Sequence, residues 1–504
     1  MKFKAFTSTV VLFACFITMA SAQDDYESFS KRAQEGYANF RTQKTESYES
    51  FRRKANAEYA DFLRQAWKSY NAFQGDAIPK EEQTPNPPVI YKGERKSLAP
   101  VQSKPIEVVT VPSPTPKVQP QPIAPIPAPQ VLPQQKKYWE IPLYGISLRM
   151  LQAEIPSFQL PSVSENHVAS AWSQLSDHGC DLLLSEVLRL RKEHSLCDWA
   201  YLQMLHAVSK KAFSSDRNKA TMLMAYLYCQ SGYRMKFASA DECLYMLFAS
   251  EHNIMQRPYW KVDGQKFYAF DCEVNRLKIS SAGFVKDQPL SLHITGTLRL
   301  PEQLSEPRKL VSKGVYALEV ESVTDRTLID FYNHYPSSSV GDAFMTRWAM
   351  YANTPLGTSA RNRLYPQLRA AISGKETREA VSILLNFMHT AFVYEYDNKV
   401  WGGDRAFFPE ETLFYPYSDC EDRSILFSLL VRDLLGLDCA LVYYPGHLAT
   451  AVALPESQVQ GDYFVLGGRK FVVCDPCYIN ASVGMTMPKM NNSEAKLYIL
   501  EARK

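Results

Sequence analysis

The sequence predicts an α+β protein in which helices and antiparallel strands follow one another in blocks. Three observations carry this. Helical patterns run through 165–233, as in "DLLLSEVLRLRKEH" and "NKATMLMAYLYCQSGY". Strand-like patterns cover 258–322, as in "LSLHITGTLRL". The C-terminal part reads as a helix and then four short strands, "CALVYYPG", "HLATAVAL", "DYFVLGG" and "RKFVVCDP".

Taken in order, residues 1–22 read as a secretory signal: Lys2 and Lys4, an apolar run too short to span a bilayer in the ordinary way, then Ala20-Ser21-Ala22. The flanks of Cys15 do not suit lipid attachment. The expectation is export to a periplasm or cell surface, with no transmembrane span in the mature chain. A formal charge of +3 is too mild to suggest nucleic acid. Nine cysteines remain after Cys15, an odd number, so at least one thiol is unpaired within the chain.

Residues 23–74 carry an eleven-residue repeat: Tyr26, Tyr37, Tyr48, Tyr59 and Tyr70, each followed three positions later by phenylalanine, from Phe29 to Phe73. Eleven residues make three helical turns of about 3.67, so the aromatic stripe stays nearly straight. Such a stripe predicts a coiled or amphipathic helix that self-associates or lies on an envelope partner. The other reading is a helix folded back on its own domain. Residues 75–137 hold about half of the 31 prolines and predict an extended tether. Residues 138–322 and 323–504 then read as two globular domains, and Gly467-Gly468 as a tight turn between the last two strands.

The chemistry centres on "FYPYSDCEDRSILFSLLVRDLLGL". Ser418 and Glu421 read as a capping box, which places Cys420 in the first turn of a helix. Free N–H groups there favour a thiolate, while Glu421 and Asp422 oppose it, so a base is required. Ile425, Leu426, Leu429, Leu430 and Leu434 are the expected buried face. His447 is the only histidine beyond Cys420, and Asp475 ends a strand in the same hairpin series. Neighbouring antiparallel strands would bring carboxylate and imidazole together, giving nucleophile, base and orienter. The Cys420 N–H with a side chain from Trp401 or Tyr417 is the expected oxyanion donor set. Cys474 and Cys477 fit a disulfide or two quiet thiols better than zinc, which wants four ligands. No metal site, cofactor or phosphate loop is expected.

The order Cys420, His447, Asp475 within "DCEDRS", "GHLATAV" and "FVVCDPCY" resembles the transglutaminase-like superfamily, relatives of papain-like cysteine peptidases, and most of all its exported bacterial members. The likeness covers about 380–490. It implies a helix packed on an antiparallel sheet, with Cys420 as nucleophile, His447 as general base and Asp475 as orienter. Cys477 departs from the threonine usual in such proteins.

A shift of 204 residues lays "YFVLGGRKFVVCD" on "YWKVDGQKFYAFD", matching Tyr463 to Tyr259, Lys470 to Lys266 and Asp475 to Asp271. The same shift sets Cys420 on Asp216 and His447 on Cys243. The 138–322 domain is therefore expected to be a degenerate copy that has lost nucleophile and base. Two functions follow as expectations. One is an exported thiol enzyme acting on acyl or amide bonds of proteins or peptides, hydrolysis favoured over transfer. The other is a non-catalytic cell-envelope scaffold or binding protein on the same fold.

Overall fold

The computed structural model describes residues 50–77, 89–92 and 137–500, apart from 156, 178, 273, 284–286, 295 and 342. The signal segment, the first repeats and most of the proline-rich stretch lie outside the described residues.

Two antiparallel sheets organise the chain. The C-terminal sheet has the order Tyr463–Leu466, Arg469–Cys474, His447–Ala453, Cys439–Tyr444, Lys496–Leu500. The other has the order Tyr259–Val262, Gln265–Ala269, Cys243–Ala249, Met235–Ala240, Arg276–Ile279, with Lys68–Asn71 as a sixth strand beyond. The first five positions of the two orders correspond one to one. Cys439–Tyr444, His447–Ala453 and Tyr463–Leu466 fall on Met235–Ala240, Cys243–Ala249 and Tyr259–Val262 at the 204-residue shift without adjustment. A helix precedes each set, Cys420–Leu435 in one and Arg217–Gln230 in the other.

The turns agree as well. The expected Gly467-Gly468 turn forms with both φ positive, at 55° and 76°, and Asp263 and Gly264 repeat it at 50° and 82°. Paired positive φ values twist a two-residue hairpin in the sense its strands need. The units differ in what joins their helices. Phe213 to Asp216 suffices between Asp198–Ala212 and Arg217–Gln230, whereas 391–419 separates Thr377–Thr390 from Cys420–Leu435.

The Cys420–Leu435 helix is buried nearly all round, not on one stripe. Leu434 is only half-buried, while Ser424, Ser428, Arg423 and Arg432 are inside. A helix with no free face needs partners for its polar groups. Arg423 donates to the Ser418 hydroxyl at 3.2 Å and the Phe392 carbonyl at 2.9 Å, and Arg432 to Asn353 at 2.7 Å. The expected boundary at 322/323 is no break in the core. Trp199 Nε1 donates to the His334 carbonyl at 2.9 Å, Ser338–Val340 pairs with His252–Ile254, and one apolar cluster runs through both units.

The described part of the repeat corrects the expectation of a continuous helix and agrees with the other reading, a helix folded back on its own domain. Residues 50–63 are helical, but Lys68–Asn71 is a strand paired antiparallel with Arg276–Ile279. Tyr59, Ala60 and Leu63 are buried in the shared core, and the Tyr59 ring lies 4.4 Å from that of Trp172. Phe51, Phe62 and Phe73 stay exposed. The aromatic period was real, yet burial within the fold took the tyrosine of one repeat and left the phenylalanines outside. Residues 89–92, assigned to the tether, also dock: Ile90 bridges Ile479 in parallel, and Tyr91 meets the Tyr478 ring edge-on at 6.0 Å.

Candidate active site

Cys420 lies in the first turn of the Cys420–Leu435 helix, as expected, but the cap is Asp419 rather than Ser418, so the helix begins at Cys420 itself. Asp422 closes the box by accepting from the Asp419 N–H at 3.1 Å, which frees Ser418 to accept from Arg423. Both pairings place an oxygen three residues on, so the sequence alone could not tell which register would win.

His447 opens its strand and Asp475 follows the end of the neighbouring one; Thr450 pairs with Cys474 across the ladder. That register delivers the expected contact: His447 Nε2 and Asp475 Oδ2 are 2.9 Å apart, both side chains almost fully buried. The other carboxylate oxygen accepts from the N–H groups of Cys477 at 2.9 Å and Tyr478 at 3.2 Å. Burial acts to raise the Asp475 carboxyl. The His447 ring, its hydrogen bond and the Cys477 N–H outweigh burial and hold it below the usual carboxylate range.

Cys420 comes to the same end of the sheet through its helix. Ser424, one turn on, donates to the carbonyl of Leu448, the residue after His447, at 2.8 Å. Behind the helix start, the Cys477 thiol lies 3.9 Å from the Asp419 carbonyl. With Nε2 committed to Asp475, Nδ1 is the ring nitrogen of His447 that remains for proton transfer. The Cys420 thiol is 2 % exposed and donates to Glu421 Oε2 at 3.1 Å.

Two residues with no role in the sequence reading complete this shell. His389 Nε2 donates to the Asp475 carbonyl at 2.8 Å, bracing the orienter from the preceding helix. Tyr394 is held well above the usual phenol range by burial first and then by Cys420 and Cys477 beside it. The expected oxyanion side chains fare differently. Tyr417 is exposed, and the Trp401 ring packs on Phe407 and Tyr415 with Arg405 4.3 Å from its centre.

The acidic surroundings of the thiol were underestimated. The 391–419 connection brings Asp397 and Asp404 to the helix start, where Asp397, Asp419 and Asp422 each offer an oxygen within 4.8 Å of the others. Asp397, Asp404 and Glu421 form a second such group, and Asp419, Cys420 and Glu421 a third. Burial first, then mutual repulsion, raises Asp397, Asp419, Glu421 and Asp422. Arg347, itself buried, answers with its charge, 2.7 Å from Asp404 and 4.0 Å from Glu421. The expectation of no metal site rested on cysteine and histidine spacing. The all-oxygen sets here have the hard-donor chemistry that suits calcium or magnesium rather than zinc. Asp397 and Asp404 lie too far from 419–422 in sequence for spacing to reveal the sets.

All nine described cysteines are free, so Cys474 and Cys477 are two buried thiols and not a disulfide. In the other unit, Asp216 caps its helix by accepting from the Lys219 N–H at 3.0 Å, Cys243 opens its strand, and Asp271 follows the Gln265–Ala269 strand. Cys243 and Asp271 stand at or near the element positions of His447 and Asp475, while Asp216, as a cap, takes the place of Asp419 in the other unit. No family model matches the chain, and neither does any curated protein or solved structure.

Proposed function

We propose that this chain is an exported thiol hydrolase of transglutaminase-like type that cleaves amide bonds in proteins or peptides. The observation that carries the reading is the buried 2.9 Å pair of His447 and Asp475 at the sheet end where a helix presents Cys420. In this reading His447 Nδ1 takes the thiol proton and sulfur attacks the carbonyl. The protonated ring then gives its proton to the leaving amine, and water releases the thioester. Hydrolysis is preferred to transfer because the reading gives the thioester no bound amine to meet. The 138–322 unit, with its matching strand order, is read as a degenerate copy that does not turn over.

One observation favours the alternative, a non-catalytic scaffold: the thiol is nearly sealed and bonded to Glu421. Alkylation by iodoacetamide at neutral pH separates the two. Cys420 is expected to react at least about tenfold faster than free cysteine and to lose that advantage in His447→Ala. A Cys420 no faster than free cysteine, together with no peptide cleavage, would leave the scaffold reading standing.

A further inference from the structure

An open cavity in the first unit is lined by Arg217 and Leu244, each one residue past the counterparts of Cys420 and His447, and by Asp271, the counterpart of Asp475. It has a volume of about 320 Å³ and lies at the start of the Arg217–Gln230 helix, the start of the Cys243–Ala249 strand and Asp271. That volume is in the range of small-ligand sites, at about 300–1,000 Å³. Its lining divides by chemistry. Phe213, Met224 and Phe270 supply apolar surface, while Lys210, Arg217 and His206 supply cationic or hydrogen-bonding groups.

Arg217 and His206 are held in place, while Lys210 is exposed at the rim. Arg217 donates to the Asp271 carbonyl at 3.2 Å and lies 4.9 Å from the Tyr245 ring centre, and His206 stacks 4.7 Å from Phe270. Asp271 is the acidic group whose charge reaches Arg217. One carboxylate, Asp271, shares the lining with the two permanent cations, so an anion still gains on entering.

We propose that this cavity is a peptide-docking site that takes an apolar side chain adjoining a carboxylate, as in a leucyl-glutamyl segment of a polypeptide. The apolar group fills the space between Phe213, Met224 and Phe270, and the carboxylate meets Lys210 and Arg217. Asp271 is placed to accept a backbone N–H of the same segment. The corresponding positions hold Asp216, Cys243 and Asp271, with no thiol at the nucleophile's place and no imidazole at the base's, so the segment is held and not cut. The assignment rests on this unit alone and does not depend on turnover at Cys420.

Binding is tested by titrating acetyl-Leu-Glu-amide and acetyl-Leu-Gln-amide into the full chain carrying Cys420→Ala, followed by ligand-observed NMR. The glutamyl probe is expected to bind at least about tenfold more tightly than the glutaminyl one. Lys210→Glu, at an exposed position, should reverse that preference, and Thr221→Trp should fill the cavity and abolish binding. Equal affinity for the two probes, or unchanged binding in both variants, overturns the proposal. So does an absence of binding at millimolar probe. Should the glutamyl probe slow iodoacetamide at wild-type Cys420 equally with and without Thr221→Trp, it occupies the catalytic unit instead and the cavity assignment fails.

Discussion

At the scale of single residues, Asp475 is the member of the candidate site with the most structural work. Its two oxygens satisfy His447 and the N–H groups of Cys477 and Tyr478, all buried. Asp475→Ala would leave those donors unpaired and is expected to cost about 3 kcal/mol, read from urea unfolding midpoints. Asp475→Asn keeps the shape and should lower turnover less than Cys420→Ala. Cys420→Ala and His447→Ala should each abolish turnover, and the double variant should lose little more, because groups that act as a unit are not additive. Near wild-type cleavage by Cys420→Ala would end the catalytic reading.

Glu410 and Glu411 set a pH response of a different kind. Burial pushes each from 4.5 up to about 7 in the folded chain, although Glu410 accepts from the N–H groups of Asp325 at 2.8 Å and Gly357 at 2.6 Å. A carboxyl whose folded pKa is raised binds its proton more tightly when folded. Its contribution is therefore complete below about 4.5 and lost as pH rises through about 7, at about 3 kcal/mol per group. Unfolding midpoints should fall over that window, and Glu410→Gln should flatten part of the fall while destabilising the chain at low pH. A midpoint that rises from pH 5 to 7.5 in the wild type and is unaltered in slope by Glu410→Gln would contradict this.

At the scale of elements, the N-terminal helix and strand belong to the first unit's core. A chain lacking residues 50–77 loses the buried Tyr59 and Leu63 and the edge strand Lys68–Asn71. It is expected to unfold earlier by several degrees and to expose apolar surface to a hydrophobic dye, whatever the fate of association. An unchanged midpoint would refute this placement. The 89–92 segment is a smaller case. Tyr91→Ala removes the edge-on contact with Tyr478, and amide exchange over 476–484, just beyond Asp475, should quicken while the distant Met235–Ala240 strand keeps its rate.

At the scale of the whole molecule, one strand order occurs twice and only one copy carries cysteine, histidine and aspartate at the three matching positions. Cys243→Ser is accordingly expected to leave the kcat of the full chain unchanged, since a thiol cannot take a proton as imidazole does near neutral pH. A folded Cys243→Ser chain without turnover would mean that the first unit takes part in the chemistry.

What the sequence by itself determined was local or periodic. The placing of Cys420 in a first helical turn, the Gly467-Gly468 turn, the four strands from 439 to 474 and the 204-residue correspondence all depend on neighbours along the chain or on fixed offsets. The contact of His447 with Asp475 did not follow from hairpin order, because the Tyr463–Leu466 strand intervenes in sequence and only the sheet order sets Arg469–Cys474 beside His447–Ala453. Tertiary structure decided the rest. Whether Tyr59 faced a partner or its own core depended on Trp172, more than a hundred residues away. The carboxylates at 397, 404, 419, 421 and 422 gather only because a long connection folds over the helix start, with Arg347 arriving from another helix to offset their charge. Burial energies are set by such distant neighbours, and no local pattern in the chain records them.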